Sequence, residues 1–370
     1  MKLAVPELLY THPAVFAVGR EYQIMVPVKR DTLMSVKCGD EEYFDDSNGI
    51  MRSKCMIHRF NLPQAVLDEV KEYTLCCRPI IDRKPYFPET EDLQTFTYAF
   101  CPLEKTQDIR IAHLSDTHGL VEPPVARALL DGKPDILLLN GDIADHSGNE
   151  ENMLVLFRLA SAVAEGGVPC VFSRGNHDLR GALAERLEQY TPNANGNSYY
   201  TFRIGCVWGV VLDCGEDKVD EHEEYGHTVC CHAFRKRETA FLEQVIADAA
   251  QEYAADGVKY RLVVSHVPFT RHNRPPFDIE FDIFDRWVSL LREHVKPQLM
   301  LCGHVHKNVL YLPLGENDAH GQQWPVVVAS VPKKDEAYFS GAHITLNADS
   351  ATVEIKDNAD NLLDTWVLKL

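Results

Sequence analysis

IRIAHLSDTHGLVEPPVARALLDGKPDILLLNGD, residues 109–142, carries the pattern on which the fold turns. Two apolar runs with few breaks, Ile109–Leu114 and Asp135–Asn140, each stop at a short polar motif: Asp116-Thr117-His118 after the first, Gly141-Asp142 after the second. Runs of this length without period-two alternation predict strands buried on both faces. Similar runs recur at Cys170–Ser173, Val207–Asp213, Leu262–Ser265 and Leu299–Cys302. Helical stretches at Asn152–Glu165, Ala182–Gln189, Glu238–Glu252 and Phe284–Val295 are interleaved with them. Buried strands alternating with helices predict a layered α/β domain.

Outward from this stretch the pattern changes. Tyr22, Ile24, Val26 and Val28 alternate with polar or small residues, as do Tyr73, Leu75 and Cys77, and Phe96, Tyr98 and Phe100. Period two marks strands with one buried face, and Gly39-Asp40 and Asn48-Gly49 between them read as turns. Several short strands with no long amphipathic helix predict a small all-β sandwich over residues 1–106. Its last strand and a linker are expected within residues 85–107, so the α/β domain should span 107–370. Toward the C-terminus, Val326, His343–Asn347, Val353–Lys356 and Trp366–Leu370 return to alternating strands.

The 370 residues suit two or three domains, and 45% hydrophobic with 25% charged residues predicts a packed core. Fifty-five acidic against 37 basic residues give a net charge of −18, with no block of Lys and Arg. That balance disfavours an extended nucleic-acid surface. The cysteine count, eleven, is odd and shows no zinc-type CxxC spacing, so reduced thiols are expected rather than a secreted disulfide framework. Pro6 and Glu7 interrupt the N-terminal apolar residues, and no run reaches the roughly 18 residues of a membrane span. A cytoplasmic protein with no membrane partner is the expectation.

Five motifs end predicted strands: Asp116-Thr117-His118, Gly141-Asp142, Gly175-Asn176-His177-Asp178, His266 in SHVP, and Gly303-His304-Val305-His306. In open α/β sheets the loops after the strands converge on one crevice. Asp116, His118, Asp142, Asn176, His266, His304 and His306 would bring carboxylate, amide and imidazole donors to it. The mixture suits divalent first-row metals and is too nitrogen-rich for calcium. Seven donors exceed the needs of one catalytic ion and suit two ions sharing a carboxylate.

In this order the motifs resemble the calcineurin-like metallophosphoesterases, whose pattern runs D-x-H, GD, GNH[DE], H and G-H-x-H, over roughly Asp108–Lys307. The resemblance implies a four-layer αββα domain with the C-terminal strands in its second sheet. It implies Asp116, His118 and His306 on one metal, Asn176, His266 and His304 on another, and Asp142 bridging. The ions are expected to be Mn, Fe or Zn, roughly 3.5–4 Å apart, with water activated between them as the nucleophile. His177, not a ligand in this family, takes the proton-donor role at the leaving group. Asp178 is expected to orient it and Arg174 to hold the phosphate. A fibronectin III-like sandwich ahead of such a domain is similar to the layout of purple acid phosphatases. Those enzymes carry a ferric-ligating tyrosine three residues after the bridging aspartate, where this chain has Asp145.

Other residues admit plainer roles. His113 lies inside a strand and reads as a satisfied core histidine, and Arg174 reads equally well as a salt-bridging arginine. The polar insertion Gly215–Arg237 reads as a mobile flap in preference to a third metal site built from His222, His227, Cys230, Cys231 and His232. Arg235-Lys236-Arg237 reads as a solvated face, and Arg271, His272 and Arg274 as candidate substrate contacts. The expected activity is hydrolysis of a small phosphorylated molecule. A phosphodiesterase on cyclic or other nucleotides, a nuclease, and a non-catalytic metal-binding scaffold are the alternatives.

Overall fold

The computed structural model describes residues 4–370. Its N-terminal region contributes β1 (Ala14–Val18), β2 (Glu21–Pro27), β3 (Thr32–Cys38), β4 (Ile57–Pro63), β5 (Glu72–Asp82) and β6 (Gln94–Ala99). The next part runs β7 (Ile109–Leu114), α1 (Glu122–Leu129), β8 (Ile136–Asn140), α2 (Glu150–Ala164), β9 (Pro169–Ser173), β10 (Tyr200–Ile204) and β11 (Val207–Val211). It continues through α3 (Cys231–Ala247), β12 (Tyr260–Val264), α4 (Phe281–Leu290), β13 (Leu299–Cys302) and β14 (Val326–Val328). Three long strands close the chain: β15 (Tyr338–Leu346), β16 (Ser350–Asp357) and β17 (Leu362–Lys369).

The site is built on two sheets. In the larger, the order is β17-β16-β15-β7-β8-β9-β1-β2-β4. The smaller runs β10-β11-β12-β13-β14, with Val309–Tyr311 at its edge. Consecutive residues of the central strands enter different cores, as strands buried on both faces require. Leu137 and Leu139 pack with Phe157 and Leu159 of α2, whereas Leu138 packs with Val171, Leu262 and Leu301 between the sheets. A third core joins Val263 and Met300 to Leu242 of α3 and Trp287 of α4.

The strand pairing corrects the expected free-standing sandwich over residues 1–106. Of the N-terminal segments, β3, β5, β6, Glu41–Phe44 and Glu89–Thr90 form a separate five-stranded sheet. The other three N-terminal strands extend the large sheet: Val15 and Phe16 of β1 pair in parallel with Pro169 and Cys170 of β9, and β2 and β4 follow. The sheet therefore runs across the expected boundary at 106/107. AVFAV of β1 is buried at every position, so it needs neighbours on both faces and behaves like the α/β strands. The C-terminal strands differ from expectation too. Ile344 of β15 pairs antiparallel with Ile111 of β7, so β15–β17 widen the large sheet, and only β14 joins the smaller one.

Cutting the chain to residues 107–370 would unpair the edge of β9 and expose the side chains that β1 covers. The expected outcome is loss of a cooperative thermal transition, measured by calorimetry. A truncated chain melting at the full-length temperature would contradict the shared sheet.

Candidate metal centre

Three parallel neighbours of the large sheet, β7, β8 and β9, and two of the smaller, β12 and β13, point their C-terminal ends at one another. The loops that leave them are laced together: Asp116 N–H donates to Gly141 O at 3.0 Å, His118 N–H to Asp142 O at 3.0 Å, and Gly303 N–H to His266 O at 2.9 Å. Asp116, His118, Asp142, His304 and His306 all have positive φ, between 45° and 70°. For residues with a Cβ this costs of order 1–3 kcal/mol each and persists only where the surroundings over-determine it. Glycine is required where the loops touch. A Cβ on Gly141 would lie 2.6 Å from His266 Nδ1, and one on Gly303 would overlap Ser115 Oγ and Asp116.

All seven predicted donors meet here. His118 Nε2 faces His306 Nε2 at 2.9 Å, and Asp116 Oδ1 lies 3.4 Å from His306 Nε2. Two imidazole nitrogens that close, beside a carboxylate, fit a shared cation. On the other side, His266 Nε2 lies 3.2 Å from Asp142 Oδ2, and His304 Nδ1 lies 2.9 Å from Asn176 Oδ1. Asp142 Oδ2 also stands 3.9 Å from His118 Nε2, so this carboxylate sits between the two groups. His266 Nδ1–H donates to Asn140 O at 2.8 Å, which aims Nε2 into the site, where it is buried without a hydrogen-bond partner. An orphaned ring nitrogen beside two carboxylates is the signature of a metal ligand whose outer hydrogen bond sets its tautomer.

Electrostatics follow from burial. Desolvation brings His118 and His304 down to about 4, leaving neutral rings with lone pairs to give. His266 feels the same desolvation, but Asp142 and Asp116 outweigh it and raise it to about 10. Burial raises Asp142, yet His266, His177 and His118 together hold it well below the usual carboxylate range.

The predicted catalytic residues part company. His177 stands beside His118, ring centroids 4.6 Å apart, with Nδ1–H donating to the Asp145 carbonyl at 2.9 Å. Asp178 does not orient it: its Oδ2 accepts N–H groups from Gly175 at 2.8 Å and Asp142 at 3.3 Å, pinning the two loops together. Burial and the Asp142 charge raise Asp178 to about 7. Arg174 turns away to buried Asp213, Nε to Oδ2 2.6 Å, over the Phe234 ring. Its guanidinium is therefore committed to a structural ion pair. His113 is buried in the core as expected but is only half satisfied: its Nε2 lies 3.1 Å from Asn140 Nδ2, and its Nδ1 is buried without a hydrogen-bond partner.

The insertion 215–237 is fastened to the site. Arg180 Nη1 lies 3.4 Å from His177 Nε2, and Glu216, buried, holds that guanidinium at 2.8 and 2.9 Å. Asp217 Oδ2 lies 3.5 Å from His304 Nε2, the geometry of a carboxylate steadying a metal-binding histidine. Asp220 accepts N–H groups of Cys231 and His232 at 2.8 and 3.0 Å, so α3 starts at Cys231 rather than near Glu238. Arg235 is consequently buried against Glu280 and the Cys214 carbonyl instead of solvated. Among the described residues, His222, His227, Cys230, Cys231 and His232 form no metal-binding group, and none of the eleven cysteines is disulfide-bonded. No helix among the described residues is long and apolar enough to cross a membrane.

Comparison with known proteins places this geometry. One structural likeness is to a purple acid phosphatase from yellow lupin (Lupinus luteus) seeds, with a TM-score of 0.58 at 13% identity, covering 98% of this chain and 74% of that one. At this identity the likeness shows the fold, including the N-terminal antiparallel region. A predicted phosphoesterase from Streptococcus pneumoniae is 12% identical with a TM-score of 0.33, over 71% of this chain and 98% of that one. Vacuolar protein sorting 29 from Cryptosporidium parvum is also 12% identical, with a TM-score of 0.34, over 72% of this chain and 100% of that one. Scores this low carry no argument. The comparison with curated proteins gave no match. The model of the calcineurin-like phosphoesterase family matches residues 109–308, which span all five strand-end motifs and more than half of the sequence, and the chain belongs to that family.

Proposed function

We propose that the chain is a two-metal phosphoesterase acting on a small phosphate ester. The observation that carries this reading is Asp142, buried between two donor groups assembled from separate strand ends. Asp116, His118 and His306 would hold one cation and Asn176, His266 and His304 the other, with Asp142 shared. Two carboxylates, four imidazoles and an amide suit Mn, Fe or Zn. When bound, such a pair activates water for attack on phosphorus and neutralises phosphate charge.

The remaining work falls to the chain itself. With Nδ1–H held on the Asp145 carbonyl, His177 presents Nε2 to the site; as the imidazolium it would donate that nitrogen's proton to the leaving oxygen as the P–O bond breaks, releasing the alcohol and leaving a neutral ring. Arg180, fixed by Glu216, replaces Arg174 as the guanidinium placed for a phosphate oxygen. The −18 net charge and the lack of a basic stripe favour a small ester over a nucleic-acid strand. Eleven unpaired cysteines fit the reducing cytoplasm as its compartment.

The test is a hydrolysis screen of manganese-loaded protein at low salt, with an aryl monoester, an aryl diester, nucleotides, and DNA and RNA strands. Turnover of small esters is expected. Strand cleavage at similar rates would make it a nuclease, and no turnover at all would leave a metal-binding scaffold.

Asp145 adds a spectroscopic prediction. Its Oδ1 lies 3.4 Å from His118 Nδ1 and 2.8 Å from Lys334 Nζ, at the position where purple acid phosphatases carry their tyrosine. A carboxylate gives no tyrosinate charge transfer. Iron-loaded protein is therefore expected to lack a strong visible absorption band, and a purple preparation would show that another phenolate reaches the metal.

A further inference from the structure

A cavity of about 300 Å³ opens against His304. Its walls are largely apolar: Val267, Phe269, Phe277, Ile279, Phe284 and Val305. The inner wall is rigid, because the Phe269 ring packs on Phe284 and Trp287 with centroids 5.7 and 5.4 Å apart. Phe277 at the mouth is 40% exposed, with Lys218 Nζ 5.3 Å from its ring centroid. The acidic groups that reach the cavity are already engaged. Glu216 is held by Arg180, and Asp217 accepts a hydrogen bond from Tyr225 at 3.0 Å. Arg271 is different: it donates to Asn273 Oδ1 at 2.8 Å and to Tyr311 OH at 3.4 Å, yet forms no ion pair among the described residues. His272 and Arg274, also expected near substrate, do not line this cavity.

We infer that this cavity receives the alcohol part of the substrate, and that this part carries an aromatic ring with a hydrogen-bond acceptor on its edge. The inference rests on the phosphoesterase reading. An apolar slot joined to a metal centre is where a leaving group must lie once its phosphate faces the cations. At about 300 Å³ it stands at the small end of ligand pockets and holds one ring system, not a polymer. Phe277 packs on the ring, and the guanidinium of Arg271 with the Asn273 amide reads its acceptor. The shared chemistry is an aromatic ring with an acceptor on its edge, and a nucleobase and a simple heteroaryl group are its two sources.

The experiment compares esters whose leaving alcohols match in acidity and differ only in the ring. One pair is a nucleoside 5′-monophosphate against ribose 5-phosphate, and the other is 2-(3-pyridyl)ethyl phosphate against butyl phosphate, all with the full manganese-loaded chain. The ring-bearing member of at least one pair is expected to have kcat/KM about tenfold higher or more, the usual scale of discrimination in an apolar pocket. Which pair discriminates separates nucleobase from simple heteroaryl. Phe277→Ala should shrink that ratio toward unity, and its exposure makes the substitution tolerable to the fold. Equal rates within both pairs would overturn the inference and leave the phosphoesterase reading standing. Should no ester turn over, that reading fails, and calorimetry with a nucleoside and with 2-(3-pyridyl)ethanol decides on the cavity. Binding weakened by Phe277→Ala would uphold it, and no binding would overturn it.

Discussion

Asp142→Asn is expected to empty both cation positions together and to lower turnover by on the order of 10³-fold or more. The reasoning starts from position. Asp142 is almost fully buried, with Oδ2 3.2 Å from His266 Nε2 and 3.9 Å from His118 Nε2, while Oδ1 accepts the His177 N–H at 2.9 Å. Asparagine has the same size, and its carbonyl oxygen still accepts that N–H, so the loop and the fold survive. What disappears is one negative charge lying between two cations, and each loses the same compensating partner. The affinity loss should exceed the roughly 10–100-fold typical of removing an outer-shell partner. Asp116→Asn offers the contrast: Asp116 Oδ1 is nearer His306 Nε2, at 3.4 Å, than His266 Nε2, at 3.8 Å, so the site of His118 and His306 should empty first. Elemental analysis of the two variants after equal dialysis distinguishes shared from private loss. Full metal content in Asp142→Asn would remove the bridging role.

His177→Ala is expected to lose about 10²–10⁴-fold in turnover while keeping both metals, the scale of a lost positioned proton donor. A competing arrangement makes this prediction informative. His118, Asp145 and His177 also bring donor atoms close enough together to hold an ion. If His177 were a ligand there, metal content would fall in step with rate. The hydrogen bond of Nδ1–H to the Asp145 carbonyl leaves Nε2 to face the site, and the Arg180 guanidinium beside it argues against a metal ligand there. Metal retained with activity lost supports the donor role, and parallel loss contradicts it.

The meeting of these seven residues was legible in the sequence for a physical reason. Each follows directly on a buried strand, so an apolar run fixes its address, and glycines at 141, 175 and 303 mark where loops must touch. The roles of Asp178 and Arg174 were not legible, because adjacency in sequence says nothing about which way a side chain turns. Asp178 faces backbone N–H groups and Arg174 faces Asp213. Asp217 and Glu216 were missed inside an irregular acidic insertion, where no periodicity separates a residue held against the site from a solvated one. The start of α3 was placed too late because its N-terminus is capped by Asp220, eleven residues before Cys231, and not by a local cap. The division of the N-terminal strands between two sheets was also hidden. Strand partners are chosen through backbone edges, which side-chain alternation does not report. The unbroken burial of β1 was the one available signal.

The central claim is a pair of cations sharing Asp142, and anomalous diffraction from metal-loaded crystals, collected at the absorption edges of Mn, Fe and Zn, tests it most directly. Two peaks roughly 3.5–4 Å apart are expected. One should lie among Asp116, His118 and His306, the other among Asn176, His266 and His304, each within bonding distance of the Asp142 carboxylate. A single peak, or a second one seated on His118, Asp145 and His177 without contact to Asp142, would contradict the account.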